Sequence, residues 1–301
     1  MDRGFKSIYS EIMMGCRAEL ETLRKNSIKS RNIAIIVGVI IFLIITAIVI
    51  TSSKSPGLII VPISIVLFVY IELTSCFLVS PKYSKLYKEK IIRPLIKQVF
   101  NDAEYNPYAK ISNLAYNGNN EGLYQERYDR ILGDDLVITN NKDSLVFSEL
   151  KVQKYTTDSD GNREITTVFN GIAGSFDSPV HFETPIKILR NATWGDKINI
   201  DSMEFEKKFN LLAKDRIKAL SILTPDVMQE ISLLSNNFGN NIEFVFFRDK
   251  VYFRILRSRV FEAGLSKDDL NPEILKKSYD LLCNIRELYQ KIIDILNNAD
   301  I

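Results

Sequence analysis

Two long apolar runs near the start of the chain limit what it can become. Ile33–Thr51 carries no charge, and Leu58–Val79 carries only Glu72. Each meets the roughly 20-residue length that a helix needs to cross a bilayer. In lipid only a helix or a closed barrel satisfies its own backbone, and unbroken apolarity selects the helix. Ser52-Ser53-Lys54-Ser55-Pro56-Gly57 is the polar break between them. The expected element is a two-helix transmembrane hairpin over residues 33–79. The first run starts too far from the N-terminus, and is too long, for a secretory signal, so it reads as a retained anchor.

Charge sets the orientation. Arg24, Lys25, Lys29 and Arg31 precede the first run, and Lys82, Lys85, Lys88, Lys90 and Arg93 follow the second, whereas the break holds Lys54 alone. Cytoplasmic flanks carry the Lys/Arg excess, so both termini are expected in the cytoplasm. The second basic group, Lys82 to Arg93, is a candidate surface for lipid headgroups at the inner leaflet. Glu72 is either an interfacial acid at the end of its span or a paired acid inside it; an intramembrane carboxylate is costly and often functional.

Residues 1–32 read as an amphipathic helix, with Phe5, Ile8, Ile12, Cys16, Leu20 and Leu23 at three- and four-residue steps. Tyr83–Phe100 reads as another, kinked or broken at Pro94. From Tyr128 the period becomes that of strands, over Leu136–Thr139, Leu145–Tyr155, Ile165–Ile172 and Phe182–Leu189, with short polar separators that predict an antiparallel meander. A helical section follows. Asp201 with Glu204 suggests a capping box before Phe205, Phe209 and Leu212. Asp215 and Thr224-Pro225 suggest two further helix starts. Ile242–Phe247 and Val251–Leu256 alternate around Arg248-Asp249-Lys250 as a β-hairpin. The last element, Pro272–Asn297, carries a wide apolar stripe that suits either packing on the chain's own core or pairing with a second copy.

Composition excludes more than it selects. The net charge of +2 leaves no strongly basic face for nucleic acid. Three scattered cysteines (Cys16, Cys76, Cys283) form no disulfide framework, and a single histidine, His181, makes a zinc site unexpected. No phosphate loop, dinucleotide fingerprint, metalloprotease helix or nucleophile elbow is present. Asp158-Ser159-Asp160-Gly161 lacks the glycine and glutamate spacing of a calcium loop. Asp134, Asp135 and Glu149, with Asp177 and Glu183, bracket the strands; in one cleft they would serve as acid and base, and at strand edges they need no chemistry. Trp194 reads as a core plug or a ligand anchor, and Met228 as core. No cofactor and no metal are expected.

The motifs Arg130-Ile131-Leu132-Gly133-Asp134-Asp135, Phe147-Ser148-Glu149-Leu150, Val168-Phe169-Asn170-Gly171, Asp201 to Phe209 and Ile222 to Met228 give the region from Tyr83 to Glu262 a further meaning. Together they resemble the bacterial membrane-protein family called Domain of Unknown Function 3137. The resemblance implies a two-span protein of the bacterial inner membrane with a soluble domain, and it implies no activity, cofactor or catalytic residue.

The combined expectation is an α+β protein in five parts. They are an amphipathic helix (1–32), the transmembrane hairpin (33–79), a basic juxtamembrane helix and linker (80–127), a soluble α+β domain (128–262) and a C-terminal amphipathic helix (263–301). The sheet is expected to be antiparallel, bent or partly barrelled in the pleckstrin-homology manner. The expected function is a non-enzymatic binding or scaffold module at the membrane face. Its partners would be the lipid bilayer and a protein, or a second copy held through the C-terminal helix. The alternative is a tethered hydrolase or transferase using Asp134, Asp135 and Glu149.

Overall fold

The structure is a computed structural model. It describes residues 3–52, 66–67, 80–118, 122–124, 126–140, 144–157, 161–192, 195–257, 260–265 and 270–298. Most of the second apolar run, with Glu72, Lys54 and Cys76, lies outside these residues, and so do Trp194 and Asp158–Asp160. The chain divides into two compact units: Met1–Pro94 with Glu262–Lys276, and Leu95–Phe261 with Lys277–Ile301.

The first unit is helical. Helix α1 (Arg3–Met14) and helix α2 (Arg17–Ser52) are separated at Gly15-Cys16, where glycine's low helix propensity ends the first. The single amphipathic helix expected over residues 1–32 is thus two, and the second runs unbroken into the first apolar run. The start of α2 is built into the unit, with Leu20, Arg24 and Ser27 buried. Further along, Ile36, Ile40, Leu43 and Ile44 are exposed. The stretch Arg17–Ile48 is long and apolar enough to cross a membrane, and none of its most apolar window is buried. Helix α3 joins Pro81–Tyr87, a π turn over Lys88–Ile92, and Arg93–Val99. The π turn sits just before Pro94, and the Arg93 N–H reaches back to the Lys88 carbonyl. Proline has no N–H to continue an α ladder, so the kink expected there takes the form of this wider turn.

The second unit is an open antiparallel sheet with helices. Its strands are β1 (Ala103–Asn106), β2 (Arg130–Thr139), β3 (Val146–Thr157), β4 (Arg163–Leu189), β5 (Lys197–Ile198), β6 (Asn210–Ala213) and β7 (Ile242–Ile255). They run in the order β1-β2-β3-β4-β6-β5, with β7 paired to β4. Open ends replace the partial barrel expected from the sequence.

The centre of the sheet follows from one doubled segment. The Leu256 N–H donates to the Asn241 carbonyl at 2.8 Å. A straight strand from Ile242 to Ile255 would hold its ends ~45 Å apart, so β7 folds back at Arg248-Asp249-Lys250. Arg248 turns there with φ 53°. This is the hairpin expected from the alternation. One arm pairs with β4 from Ile172↔Ile255 to Asp177↔Lys250, and the other from Phe182↔Arg248 to Ile188↔Phe244. The hairpin is therefore inserted between two halves of β4, whose register shifts between Asp177 and Phe182. The two strands expected there are halves of one long corner-turning strand. Gly171 permits the close approach: a Cβ on it would lie 2.0 Å from the Ile255 carbonyl oxygen.

Side chains alternate between two covered faces. On one, Phe176 meets Phe253 and stands edge-on to Tyr289 of the C-terminal helix α8 (Pro272–Asn297) at 5.2 Å. The stripe of α8, including Leu281, Ile285, Leu288 and Ile292, is buried within the chain. On the other face, Ile131, Leu150, Val152, Phe169, Val245 and Phe247 lie under the segment carrying Ile111, Tyr116 and Tyr124. Helix α4 (Asn113–Tyr116), capped by the Ser112 hydroxyl, belongs to that cover.

The Asp201–Glu204 capping box does not form. Helix α5 (Met203–Lys208) follows Ser202, and Glu206 instead accepts from the Ile200 N–H. Leu212, expected on that helix, lies in β6, because Phe209 leaves the helix in an extended conformation and its successors pair with β4. The caps at Asp215 and Thr224 form at helices α6 (Arg216–Ile222) and α7 (Pro225–Asn236). Met228 is buried.

Candidate functional site

Of the basic residues after the apolar runs, Lys82, Lys85 and Lys90 are exposed on α3 and Arg93 is half-buried. Lys88 departs from the set. It is buried and its Nζ lies 2.9 Å from the Glu262 carboxylate. On a helix 3.6 residues per turn, Lys88 follows buried Tyr87 into the core side, so it cannot face headgroups. Arg93 is clasped by Glu89 one turn back, at 2.6 and 3.0 Å, and this pairing holds the Glu89 carboxyl below the usual range.

Asp134, Asp135 and Glu149 lie on adjoining strands, and Asp135 and Glu149 have structural work. Asp134 and Glu149 are direct cross-strand partners of β2 and β3, so their side chains share one face. Asp135 sits in the bulge that follows, with φ 57°, fully buried, and accepts from the Tyr105 hydroxyl. Glu149 accepts from the Val260 N–H at 3.1 Å. His181 is exposed and meets Asp249 at 2.7 Å.

The most developed polar constellation involves residues that motif reading passed over. Arg254 points from β7 into the aromatic cover. Its Nη atoms bind both oxygens of Glu126 at 2.7 and 2.9 Å, and its Nε donates to Glu243. The guanidinium lies 4.2 Å from the Tyr124 ring centre and 5.4 Å from that of Phe169. Glu243 also accepts from the Arg190 N–H. Burial opposes the Arg254 charge, yet the Glu126 hydrogen bonds and the Glu243 charge hold it protonated well above its ordinary range. Burial pushes the Tyr116 hydroxyl up to about 12 and that of Tyr124 well up, with Arg254 partly offsetting both. Neutral tyrosines, a permanent cation and two engaged carboxylates do not trade protons at neutral pH. The constellation clamps the cover onto the sheet. A signal for it exists in the sequence: Glu243 and Arg254 stand symmetrically about the Arg248-Asp249 turn, where a hairpin makes them cross-strand partners.

Fold and polar groups thus define an α+β domain with an open antiparallel sheet and an N-terminal helix of membrane-spanning length. Residues 167–297 match the family model described as Protein of unknown function (DUF3137), the family that the motifs resemble. The match begins inside β4 and ends with α8, so it includes the β7 hairpin and Arg254 but not Glu126. No curated protein and no solved structure matches the chain.

Proposed function

We propose that the protein is a membrane-tethered, non-enzymatic binding module, with its sheet domain at the cytoplasmic face of a bacterial inner membrane. The observation that supports this most directly is helix α2. Its first turns are core elements of a folded unit, while its continuation is bare and apolar. A helix of that kind passes from protein into lipid without a flexible joint. Exposed Lys82, Lys85 and Lys90 supply charge for an anionic leaflet. The engagement of Asp135, Glu149, Glu126 and Glu243 in internal hydrogen bonds favours binding over catalysis.

The test is purification of the full chain from native membranes in mild detergent, followed by identification of what accompanies it. A stoichiometric protein partner is expected, and the triple variant K82E/K85E/K90E should weaken retention on anionic but not neutral nanodiscs. Recovery of the chain alone, with no preference between the two lipids, would remove this reading.

A further inference from the structure

The helical unit contains a cavity of about 350 Å³ lined by Tyr9, Arg17, Glu21, Arg24, Leu270, Asn271 and Pro272. Four observations give it one chemistry. Arg24 is 6% exposed, and its Nε has no partner among the described residues. Its Nη1 donates to the Leu265 carbonyl, at 3.3 Å, and to no other described residue. A guanidinium has five N–H donors and is more stable when they are matched. Next, Asn271 and Pro272 are the start of α8, a 26-residue helix, whose N-terminus carries positive partial charge, although the N–H groups of Ile274 and Leu275 are already met by the Asn271 carbonyl. The Asn271 side-chain oxygen accepts from the Glu273 N–H, which leaves its amide nitrogen as a donor. Finally, Glu21 is tied to Arg17 at 3.1 Å, so the described lining residues hold two cations against one anion.

The geometry points to this cavity as a binding site for a small soluble phosphorylated anion, received by Arg24 and the Asn271 side-chain amide at the start of α8, with Arg17 beside them. None of the α3 lysines on which the reading above rests is among the lining residues, so this inference stands apart from it. Phospholipid is a poor fit as the source of the phosphate. Arg24 precedes the apolar run at Ile33 by nine residues, or roughly 13 Å of helix rise. The headgroup layer on one side of a bilayer is only about 5–7 Å thick. Arg31, whose Nε is likewise buried without a partner among the described residues, stands at that boundary and is the arginine a membrane phosphate would reach.

The experiment uses the full-length protein in nanodiscs of neutral lipid. Thermal unfolding is followed against inorganic pyrophosphate and phosphate, with chloride at matched ionic strength. A saturable rise in Tm is expected with pyrophosphate and not with chloride. Arg24→Gln should weaken apparent affinity by about tenfold or more, as expected for loss of a charge-assisted donor. Glu21→Gln removes only the competing carboxylate and should strengthen it several-fold. Arg31→Gln should leave it unchanged. Glu21→Gln keeps the test decisive if Arg24→Gln folds poorly. Absence of a saturable rise would overturn the proposal, as would a rise that Glu21→Gln does not strengthen. A response seen only with anionic nanodiscs, and lost in Arg31→Gln, would assign the phosphate to lipid and overturn it as well.

Discussion

Arg254 and Arg24 are both buried arginines, 5% and 6% exposed, and they differ in everything else. In the sheet unit, Arg254 meets two carboxylates, a tyrosine hydroxyl and two ring faces. In the helical unit, Arg24 meets, among the described residues, one carbonyl and a cavity. A buried charge whose donors are filled from within the chain is a structural tie. One whose donors are left over is a place where something else can bind. The difference teaches that burial alone does not separate structural from functional charges; the count of satisfied donors does.

The largest expected effect follows from breaking the filled member of the pair. Arg254→Met leaves Glu243 buried, with 5% of its side chain exposed, without its counter-ion. Removing one partner of a buried pair costs about 3–5 kcal/mol, measurable as a shift of the denaturant midpoint. Adding Glu243→Met should recover part of that loss, because the stranded charge is then gone. Equal destabilisation in the single and double variants would mean that Arg254 acts by packing on Tyr124 and Phe169 alone.

Alkali should attack the same region through its tyrosines. Tyr116 ionises near 10 in an unfolded chain, and burial holds it up to about 12 in the folded one. A raised folded value gives stability that is intact below pH ~10 and lost as pH rises toward about 12, since only the unfolded state sheds its proton in that window. The loss is roughly 2–3 kcal/mol for Tyr116, and Tyr124 adds to it in the same direction. Tyr116→Phe should flatten the fall in stability above pH ~10; an unchanged slope would show that the aromatic cover opens before it titrates.

How far the sequence reveals these features depends on whether the signal is local. The β7 hairpin was legible because alternation and a polar turn are written in consecutive residues. So was α8, whose stripe repeats over seven turns, and so were the caps at Asp215 and Thr224. The open ends of the sheet were not legible, since closure depends on how edge strands meet. Nor was β6: Asn210–Ala213 follows a helix directly, and only pairing with β4 makes it a strand. The carboxylates Asp134, Asp135 and Glu149 could be read only as residues that bracket the strands, because the partners of Asp135 and Glu149, Tyr105 and Val260, are distant in sequence. Arg24 was visible only as one of several basic residues before a span. Its burial is a tertiary fact.

A backbone change sharpens the comparison by disturbing the sheet without touching a charge. Gly171→Ala would place a methyl 2.0 Å from the Ile255 carbonyl oxygen, 2.7 Å from the Arg257 nitrogen and next to the strand that carries Arg254. The strands must part locally, at about 1–3 kcal/mol. If the clamp at Arg254 is rigid, urea melts of this variant should stay two-state with a lowered midpoint. A separate early transition would mean that the β7 hairpin can leave β4 by itself.

The smallest expected effect belongs to the unfilled arginine, and it carries the comparison's sharpest consequence. Without any anion, Arg24→Gln gives up one long hydrogen bond at 3.3 Å and relieves a buried, under-paired charge. These contributions oppose each other, so stability should change by about 1 kcal/mol or less, far below the effect at Arg254. With pyrophosphate present the difference grows: the wild-type chain gains stability by mass action as the ligand binds the folded state, and the variant, with its weaker site, gains less at the same concentration. A large loss in the variant without anion would show that Arg24 is a second structural tie whose partners lie inside the helical unit. A small loss that widens with ligand concentration is what a vacant donor set predicts, because there the free energy comes from the bound molecule and not from the fold.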